Sequence, residues 1–142
     1  ECKTPSESLQ DGDCGVCPPF SISPVDAVSI QDCKCILGHG DIHNSSTCSA
    51  CEPGSYSNDV SMTACTSCPV GSKQSAYGRT GCVPCDAGTY GNVAGQASCI
   101  ECPPGSYSDN VSMTACTLCP VGSKQSAYGQ QGCDPCAQGT YS

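Results

Sequence analysis

The fold of this chain is decided by a stretch that joins two cysteine pairs: residues 65–85 read CTSCPVGSKQSAYGRTGCVPC. Each end of the stretch is a C-x-x-C pair, and such pairs recur at intervals of 17 residues. The six pairs are Cys48/Cys51, Cys65/Cys68, Cys82/Cys85, Cys99/Cys102, Cys116/Cys119 and Cys133/Cys136. A fixed period of this length is typical of a repeat architecture, in which one unit is too small to fold alone.

A second, longer period groups these units into blocks. Aligning residues 48–91 with residues 99–142 gives 32 identities in 44 positions, so three units form a block of 51 residues. Every unit also has a glycine three residues after its second cysteine, which predicts a turn with positive φ or a close backbone contact. We therefore predict two regions, an irregular N-terminal cysteine-rich segment (1–47) and tandem 17-residue modules (48–142), of which the last is truncated.

The composition predicts that disulfides replace a hydrophobic core. The chain has 17 cysteines in 142 residues, no tryptophan and one phenylalanine, which is too little apolar surface for a conventional core. No segment shows helical periodicity, and glycine, serine and proline are spread throughout. We expect a small disulfide-rich fold of tandem modules with short β-hairpins and little helix. Such cysteine usage indicates an oxidising location, extracellular or at the cell surface.

The tyrosines occupy one of two slots in each unit. The first slot lies two residues after the repeated glycine of a unit and holds Tyr56, Tyr90, Tyr107 or Tyr141. The second slot lies four residues further on and holds Tyr77 or Tyr128, in units that have lysine in the first slot. One ring per unit predicts a single small packing site that either slot can fill.

Two disulfide pairings suit such an array. In the first, the second cysteine of each unit bonds the first cysteine of the next, and the same rule extends toward the N-terminus. The bonds would be Cys2–Cys14, Cys17–Cys33, Cys35–Cys48, Cys51–Cys65, Cys68–Cys82, Cys85–Cys99, Cys102–Cys116 and Cys119–Cys133. This scheme leaves Cys136, whose partner would lie beyond the end of the chain.

In the second pairing, neighbouring pairs interlock, as in Cys48–Cys65 with Cys51–Cys68, and Cys2 is left over. A block contains three units, so interlocking would give equivalent units opposite roles in successive blocks. The odd number favours the first scheme, although sequence alone leaves both open.

The module resembles those of two receptor families. The motif C-x-x-G-[ST]-[YK]-x(n)-C-x-x-C is carried by CEPGSY at residues 51–56, CDAGTY at 85–90 and CPPGSY at 102–107, each followed by the next cysteine pair. It is similar to the cysteine-rich modules of ephrin-receptor-like and tumour-necrosis-factor-receptor-like proteins. The resemblance, over roughly 48–142, implies the first pairing and stacking into elongated rods. Homogeneous arrays of one module are more similar to protist and algal surface proteins, including surface-coat antigens and fibrous flagellar appendages.

The cysteine pairs could in principle serve metal or redox chemistry. Two neighbouring C-x-x-C pairs carry the four thiolates of a tetrahedral zinc site. However, every pair has equivalent neighbours on both sides and no histidine replaces a cysteine, so we predict no metal. A thioredoxin-like role requires C-x-x-C at the start of a helix, which the Gly- and Pro-rich flanks disfavour.

Other polar residues have simpler interpretations than a binding or catalytic site. Gly38 and Gly40 indicate a loop, which would make His39 and His43 exposed linker residues. The segment 11–13 (DGD) could contribute to a calcium site, but a polar turn explains it equally well. We find no Ser/His/Asp, Cys/His or paired-carboxylate constellation, and so predict no catalytic residues, no cofactor and no enzymatic activity.

The net charge and the glycosylation motifs limit the classes of partner that the sequence allows. The net charge of −8, without a basic patch, disfavours nucleic acid, and no stretch is apolar enough to span a membrane. Asn44-Ser45-Ser46 and Asn110-Val111-Ser112 are N-glycosylation sequons, and we predict that Asn44 and Asn110 carry glycans. Our leading hypothesis is a secreted structural protein that self-assembles into a coat, fibre or filament, or binds other extracellular proteins. The alternative is a receptor-type ectodomain that binds a protein ligand.

Overall fold

The computed structural model describes residues 17–23, 32–41, 47–60, 64–137 and 139. Within these ranges the regular structure consists of 14 strands of two or three residues, without an α-helix. The strands are Ser21–Ile22 (β1), Lys34–Cys35 (β2), His39–Asp41 (β3), Cys48–Ala50 (β4), Ser55–Tyr56 (β5), Thr66–Ser67 (β6), Ser72–Lys73 (β7), Val83–Pro84 (β8), Thr89–Tyr90 (β9), Ile100–Glu101 (β10), Ser106–Tyr107 (β11), Thr117–Leu118 (β12), Ser123–Lys124 (β13) and Asp134–Pro135 (β14).

The strands pair in order along the chain, β1 with β2, β3 with β4, and so on to β13 with β14. The pairs with a defined register are antiparallel, for example Ser72 opposite Pro84 and Lys73 opposite Val83. In the array, the first strand of each hairpin follows the glycine of one unit, and the second lies inside the C-x-x-C pair of the next. The prediction of short β-hairpins with little helix is confirmed.

A tight turn starts each hairpin. In the turn 69–72, the amide of Ser72 donates to the carbonyl oxygen of Pro69 at 3.2 Å, and Gly71 has φ 75°. A positive φ at the third turn residue is the requirement of a type II turn, which glycine meets without a steric penalty. The Ser72 hydroxyl also donates to the Pro69 carbonyl, at 2.7 Å, which closes the turn from the side-chain direction.

Seven disulfides close the hairpins in the described part of the chain. They join Cys17–Cys33, Cys35–Cys48, Cys51–Cys65, Cys68–Cys82, Cys85–Cys99, Cys102–Cys116 and Cys119–Cys133. The structure thus has the pairing in which each second cysteine bonds the next first cysteine. Cys2 and Cys14 lie outside the described residues, and Cys136 has no disulfide partner.

The half-cystines themselves form the core. Among the described residues, the buried apolar side chains are all cysteines: Cys51 is 1% exposed, and Cys68, Cys85 and Cys102 are 0% exposed. Large apolar side chains such as Leu118 and Val121 instead lie on the surface. Disulfide bonds therefore replace a conventional hydrophobic core, as the composition predicts.

The chain divides into two compact units, each built from separate stretches of sequence. Unit 1 comprises Glu1–Glu52, Tyr56–Thr66 and Tyr77–Gly81. Unit 2 comprises Pro53–Ser55, Ser67–Ala76 and Cys82–Ser142. The disulfides from Cys17 to Cys65 belong to unit 1, and those from Cys68 to Cys133 belong to unit 2. The division of the sequence into residues 1–47 and 48–142 stays a prediction.

The predicted shared packing site for tyrosine is wrong. The first-slot tyrosines are half-buried strand residues: Tyr56, Tyr90 and Tyr107. The second-slot residues Tyr77 and Tyr128 are 65% and 63% exposed. Each of them precedes a glycine, Gly78 or Gly129, whose backbone amide donates to a half-cystine carbonyl of another module. The contact between modules is therefore made by the glycine backbone and not by the tyrosine ring. Tyr141 lies outside the described residues.

The loop predicted around Gly38 and Gly40 is also wrong, because His39–Asp41 is strand β3 and His39 is half-buried. Gly38 has φ 77° and serves as the turn glycine. At Gly40 a Cβ atom would lie 2.8 Å from the Cys65 amide nitrogen. Glycine is therefore needed there for a close backbone approach within a strand, not for a flexible loop.

No helix in the described residues is long and apolar enough to cross a membrane.

Candidate functional site

The repeated element of this structure is a set of main-chain hydrogen bonds between successive modules. In unit 2, the amide of the second cysteine of each C-x-x-C pair donates to the carbonyl oxygen of the glycine in the preceding module. The donor–acceptor distances are 2.8 Å for Cys68–Gly54, 2.9 Å for Cys85–Gly71, 2.9 Å for Cys102–Gly88, 2.9 Å for Cys119–Gly105 and 2.8 Å for Cys136–Gly122.

The carbonyl groups of three of these cysteines, all of them half-cystines, accept a second bond from further along the chain. The Cys68 oxygen accepts from the Gly95 amide at 2.8 Å, and the Cys85 oxygen accepts from the Ser112 amide at 2.8 Å. Cys102 accepts from Gly129 at 2.9 Å. The backbone amide and the carbonyl group of each of these three half-cystines thus both have a hydrogen-bond partner. The residues can therefore be buried without an unpaired backbone donor or acceptor.

The turn glycines complete the pattern. In unit 2 the amide of Gly71 donates to the Gly91 carbonyl at 2.8 Å, and that of Gly88 donates to the Ser108 carbonyl at 2.7 Å. Unit 1 has the same arrangement, with the Gly38 amide 2.8 Å from the Ser57 oxygen and the Cys51 amide 2.9 Å from the Gly38 oxygen. The contacts therefore depend on the backbone and on the position of glycine, not on the variable side chains.

Four turn glycines lie directly against a carbonyl group about 40 residues further along the sequence. A Cβ atom on Gly71 would overlap the Ser112 carbonyl, and one on Gly88 would overlap the Gly129 carbonyl. Gly54 with Gly95, and Gly38 with Gly78, have the same relation. At Gly105 and Gly122, no atom of the described residues lies within 4 Å of the equivalent position. Positive φ was predictable from the spacing of glycine, but these contacts were not.

Two buried serines hold the loops that follow the first-slot tyrosines. Ser57 and Ser108 are 0% exposed. The Ser108 hydroxyl donates to the Asn110 carbonyl at 3.1 Å, and that of Ser57 donates to the Asp59 carbonyl at 3.4 Å. A small hydroxyl can be buried here because it has this local partner.

Of the candidate metal ligands outside the cysteine pairs, only His39 lies in the part of the chain that the structure describes. Among the described residues, no group of three or more His, Cys, Asp or Glu side chains could hold a metal ion. The His39 ring stacks on Phe20 with centroids 4.7 Å apart, and its Nδ1 lies 3.1 Å from the Leu37 oxygen. His43, Asp11 and Asp13 lie outside the described residues.

The two sequons differ in what can be said of them. Asn110 is exposed, and its Nδ2 donates to Asp109 Oδ1 at 2.9 Å. Asn44 lies outside the described residues. Glycosylation at either position stays a prediction.

One position that the sequence interpretation missed is Phe20. The segment 17–21 (CPPFS) corresponds to 102–106 (CPPGS), with phenylalanine in place of the turn glycine. Phe20 nevertheless has φ 62°, and the Ser21 hydroxyl donates to the Pro18 carbonyl at 2.7 Å, as in the array. The shared C-P-P and serine were the available signal, but the missing glycine concealed it.

The sequence profile of one family, described as tyrosine-protein kinase ephrin type A/B receptor-like, matches the chain twice, at residues 40–80 and 73–112. The two matches together cover just over half of the chain. No curated protein matches it. That family is one of non-enzymatic cysteine-rich modules, and modules of this kind with consecutive disulfides fit an extracellular, disulfide-rich protein. By its profile matches, its seven consecutive disulfides and its tandem hairpins, this chain belongs to the ephrin-receptor-like family of cysteine-rich modules.

Proposed function

We propose that this protein is a non-enzymatic, secreted structural component, a disulfide-linked rod that contributes to a surface coat, fibre or filament by self-assembly. The observation that carries the proposal is the repetition of the same main-chain contacts from module to module. Because glycine and half-cystine peptides make these contacts, the side chains on the surface are free to serve contacts with other molecules.

The exposed side chains repeat as well. Val70 and Val121 occupy the same position in successive blocks, and both are exposed. Tyr77 and Tyr128 are likewise equivalent and exposed. A surface that is presented more than once on one molecule supports association with several copies, since heterologous contacts between repeated surfaces generate open assemblies.

Sedimentation and negative-stain imaging of the oxidised full chain, over a range of concentrations, test this proposal. We expect concentration-dependent growth into regular fibres or sheets. The combined change Val70→Ser and Val121→Ser should weaken assembly by removing the repeated apolar contacts. The matched control is Thr66→Ser with Thr117→Ser, a conservative change at exposed positions with the same spacing. A monodisperse monomer at high concentration would contradict the proposal.

A second candidate function is a receptor-type ectodomain that binds a protein ligand. The description of the matching family supports it, since that family is named for a receptor. In this case the full chain stays monomeric alone and forms a complex of fixed stoichiometry with one extracellular protein. The same sedimentation experiment therefore separates the two functions, because only the first predicts growth without a partner.

A further inference from the structure

We propose that Asn110 carries an N-linked oligosaccharide, which marks the second block of the array and has no counterpart at the equivalent position of the first block. The acceptor sequence is Asn110-Val111-Ser112. All three residues are exposed, and they form the turn that follows strand β11. A sugar on this turn therefore extends into solvent.

The side chain of Asn110 takes no part in the contacts between modules. Its Nδ2 atom makes one exposed hydrogen bond, to the neighbouring Asp109 carboxylate. The turn is held instead through main-chain atoms. The Asn110 carbonyl accepts from the Ser108 hydroxyl, and the Ser112 amide donates to the Cys85 carbonyl at 2.8 Å. Substitution of Nδ2 thus leaves the bonds that hold the fold in place.

The transfer requires a lipid-linked oligosaccharide pyrophosphate as the co-reactant in the secretory pathway. The Asn110 amide nitrogen forms a bond to the anomeric carbon of the first sugar. The bond from that carbon to the pyrophosphate oxygen breaks, and the lipid pyrophosphate leaves with the electron pair while the amide loses a proton. The Ser112 hydroxyl supplies the motif's third position, which enzymes of this class recognise.

The first block shows why the mark is asymmetric. Its equivalent turn contains Asn58-Asp59-Val60, in which asparagine and aspartate have exchanged places. Asn58 is exposed like Asn110, but the residue two positions later is Val60, which has no hydroxyl. Both asparagines are therefore exposed, and only the order of two residues decides which block has the acceptor motif.

The test is secretion of the full chain from a eukaryotic cell, followed by peptide mass mapping before and after peptide-N-glycosidase F. A co-secreted glycoprotein verifies that the cell glycosylates. We expect the peptide with Asn110 to carry a glycan and to convert to aspartate at this position on enzymatic release. Mapping at the peptide level keeps any glycan on Asn44 separate from this result.

Variants sharpen the assignment. Asn110→Gln should remove the glycan, Ser112→Thr should retain it, and Asn58→Gln should have no effect. The exchange Asn58→Asp with Asp59→Asn should add a glycan to the first block, since it restores the acceptor order before Ser61. An unmodified Asn110 peptide beside a glycosylated control protein overturns the proposal. A glycan on that peptide that survives Asn110→Gln overturns it as well.

Discussion

Two turns of this molecule have the same sequence but different surroundings. Residues 68–78 and 119–129 both read CPVGSKQSAYG, and their glycines, Gly71 and Gly122, have φ 75° and 84°. Gly71 is buried against the Ser112 carbonyl, whereas Gly122 is exposed, and no atom of the described residues lies within 4 Å of a Cβ built on it. The turn is therefore encoded locally, while its packing is supplied by residues far along the chain.

The largest effect should come from removing a disulfide in each of these surroundings. Cys85–Cys99 and Cys119–Cys133 both have a sequence separation of 14, so their loops are equal in length. Loop closure predicts a loss of about 3 kcal/mol for either double serine variant. Cys85 is 0% exposed, so a serine hydroxyl there adds a desolvation penalty of about 2 kcal/mol.

Denaturant titration of the two double variants, under non-reducing conditions, measures this difference in the free energy of unfolding. Cys119 is only half-buried, so its variant provides the control for loop closure without deep burial. Equal losses in the two variants would show that burial of the half-cystine contributes nothing beyond the covalent link.

The next largest effect should distinguish the two glycines. Gly71→Ala places a methyl group on the Ser112 carbonyl and forces a positive φ on alanine, with an expected loss of about 3 kcal/mol. Gly122→Ala meets only the conformational term, about 1 kcal/mol.

Hydrogen–deuterium exchange gives the matching local measurement, because the Cys85 amide donates to the Gly71 carbonyl. This amide should exchange faster in Gly71→Ala and stay protected in Gly122→Ala. If both alanine variants lose the same stability, the carbonyl contact is unimportant and the turn conformation alone explains the glycine.

The features that sequence predicted here are those with a local cause. A glycine at a fixed distance from cysteine predicts positive φ, and Gly71 has it. The odd number of units in a block favours one disulfide pairing, and the structure has that pairing. The first inference needs only the spacing of residues within one unit, and the second needs only the repeat pattern along the chain.

The features that sequence did not predict depend on distant or divergent residues. Nothing near Gly71 indicates that Ser112 lies against it, because the contact joins positions 41 residues apart. The tyrosine prediction was wrong because it assumed that the first and the second slot place the tyrosine ring in the same environment. Phe20 concealed a regular turn, because a bulky residue at positive φ is uncommon and does not predict one.

A smaller effect should separate the two tyrosine slots. Tyr107 is half-buried in strand β11, opposite Thr117, whereas Tyr128 is 63% exposed. Tyr107→Ala should lower the free energy of unfolding by about 1.5 kcal/mol through lost apolar burial. Tyr128→Ala should change it by less than about 0.5 kcal/mol. Thermal unfolding of both variants checks the order, and a larger loss at position 128 would restore the idea of a packed second slot.

The smallest effect concerns two residues at the same position of their modules, Ser112 and Gly129. Both have positive φ, 60° and 70°, and both donate an amide to a half-cystine carbonyl. Ser112→Gly should stabilise the fold by about 0.5–1 kcal/mol, since relief of the left-handed conformation exceeds the added freedom of the unfolded chain. Gly129→Ser should destabilise it by a similar amount, because serine would then have to adopt a positive φ. No clash adds to this cost, since the nearest atom to a Cβ there, the Glu101 carboxyl carbon, is 3.6 Å away. Denaturant midpoints of the two variants, measured on protein without glycans, should therefore move in opposite directions. If Ser112→Gly instead lowers the free energy of unfolding, the stabilisation by the serine hydroxyl is larger than the destabilisation by its left-handed backbone conformation.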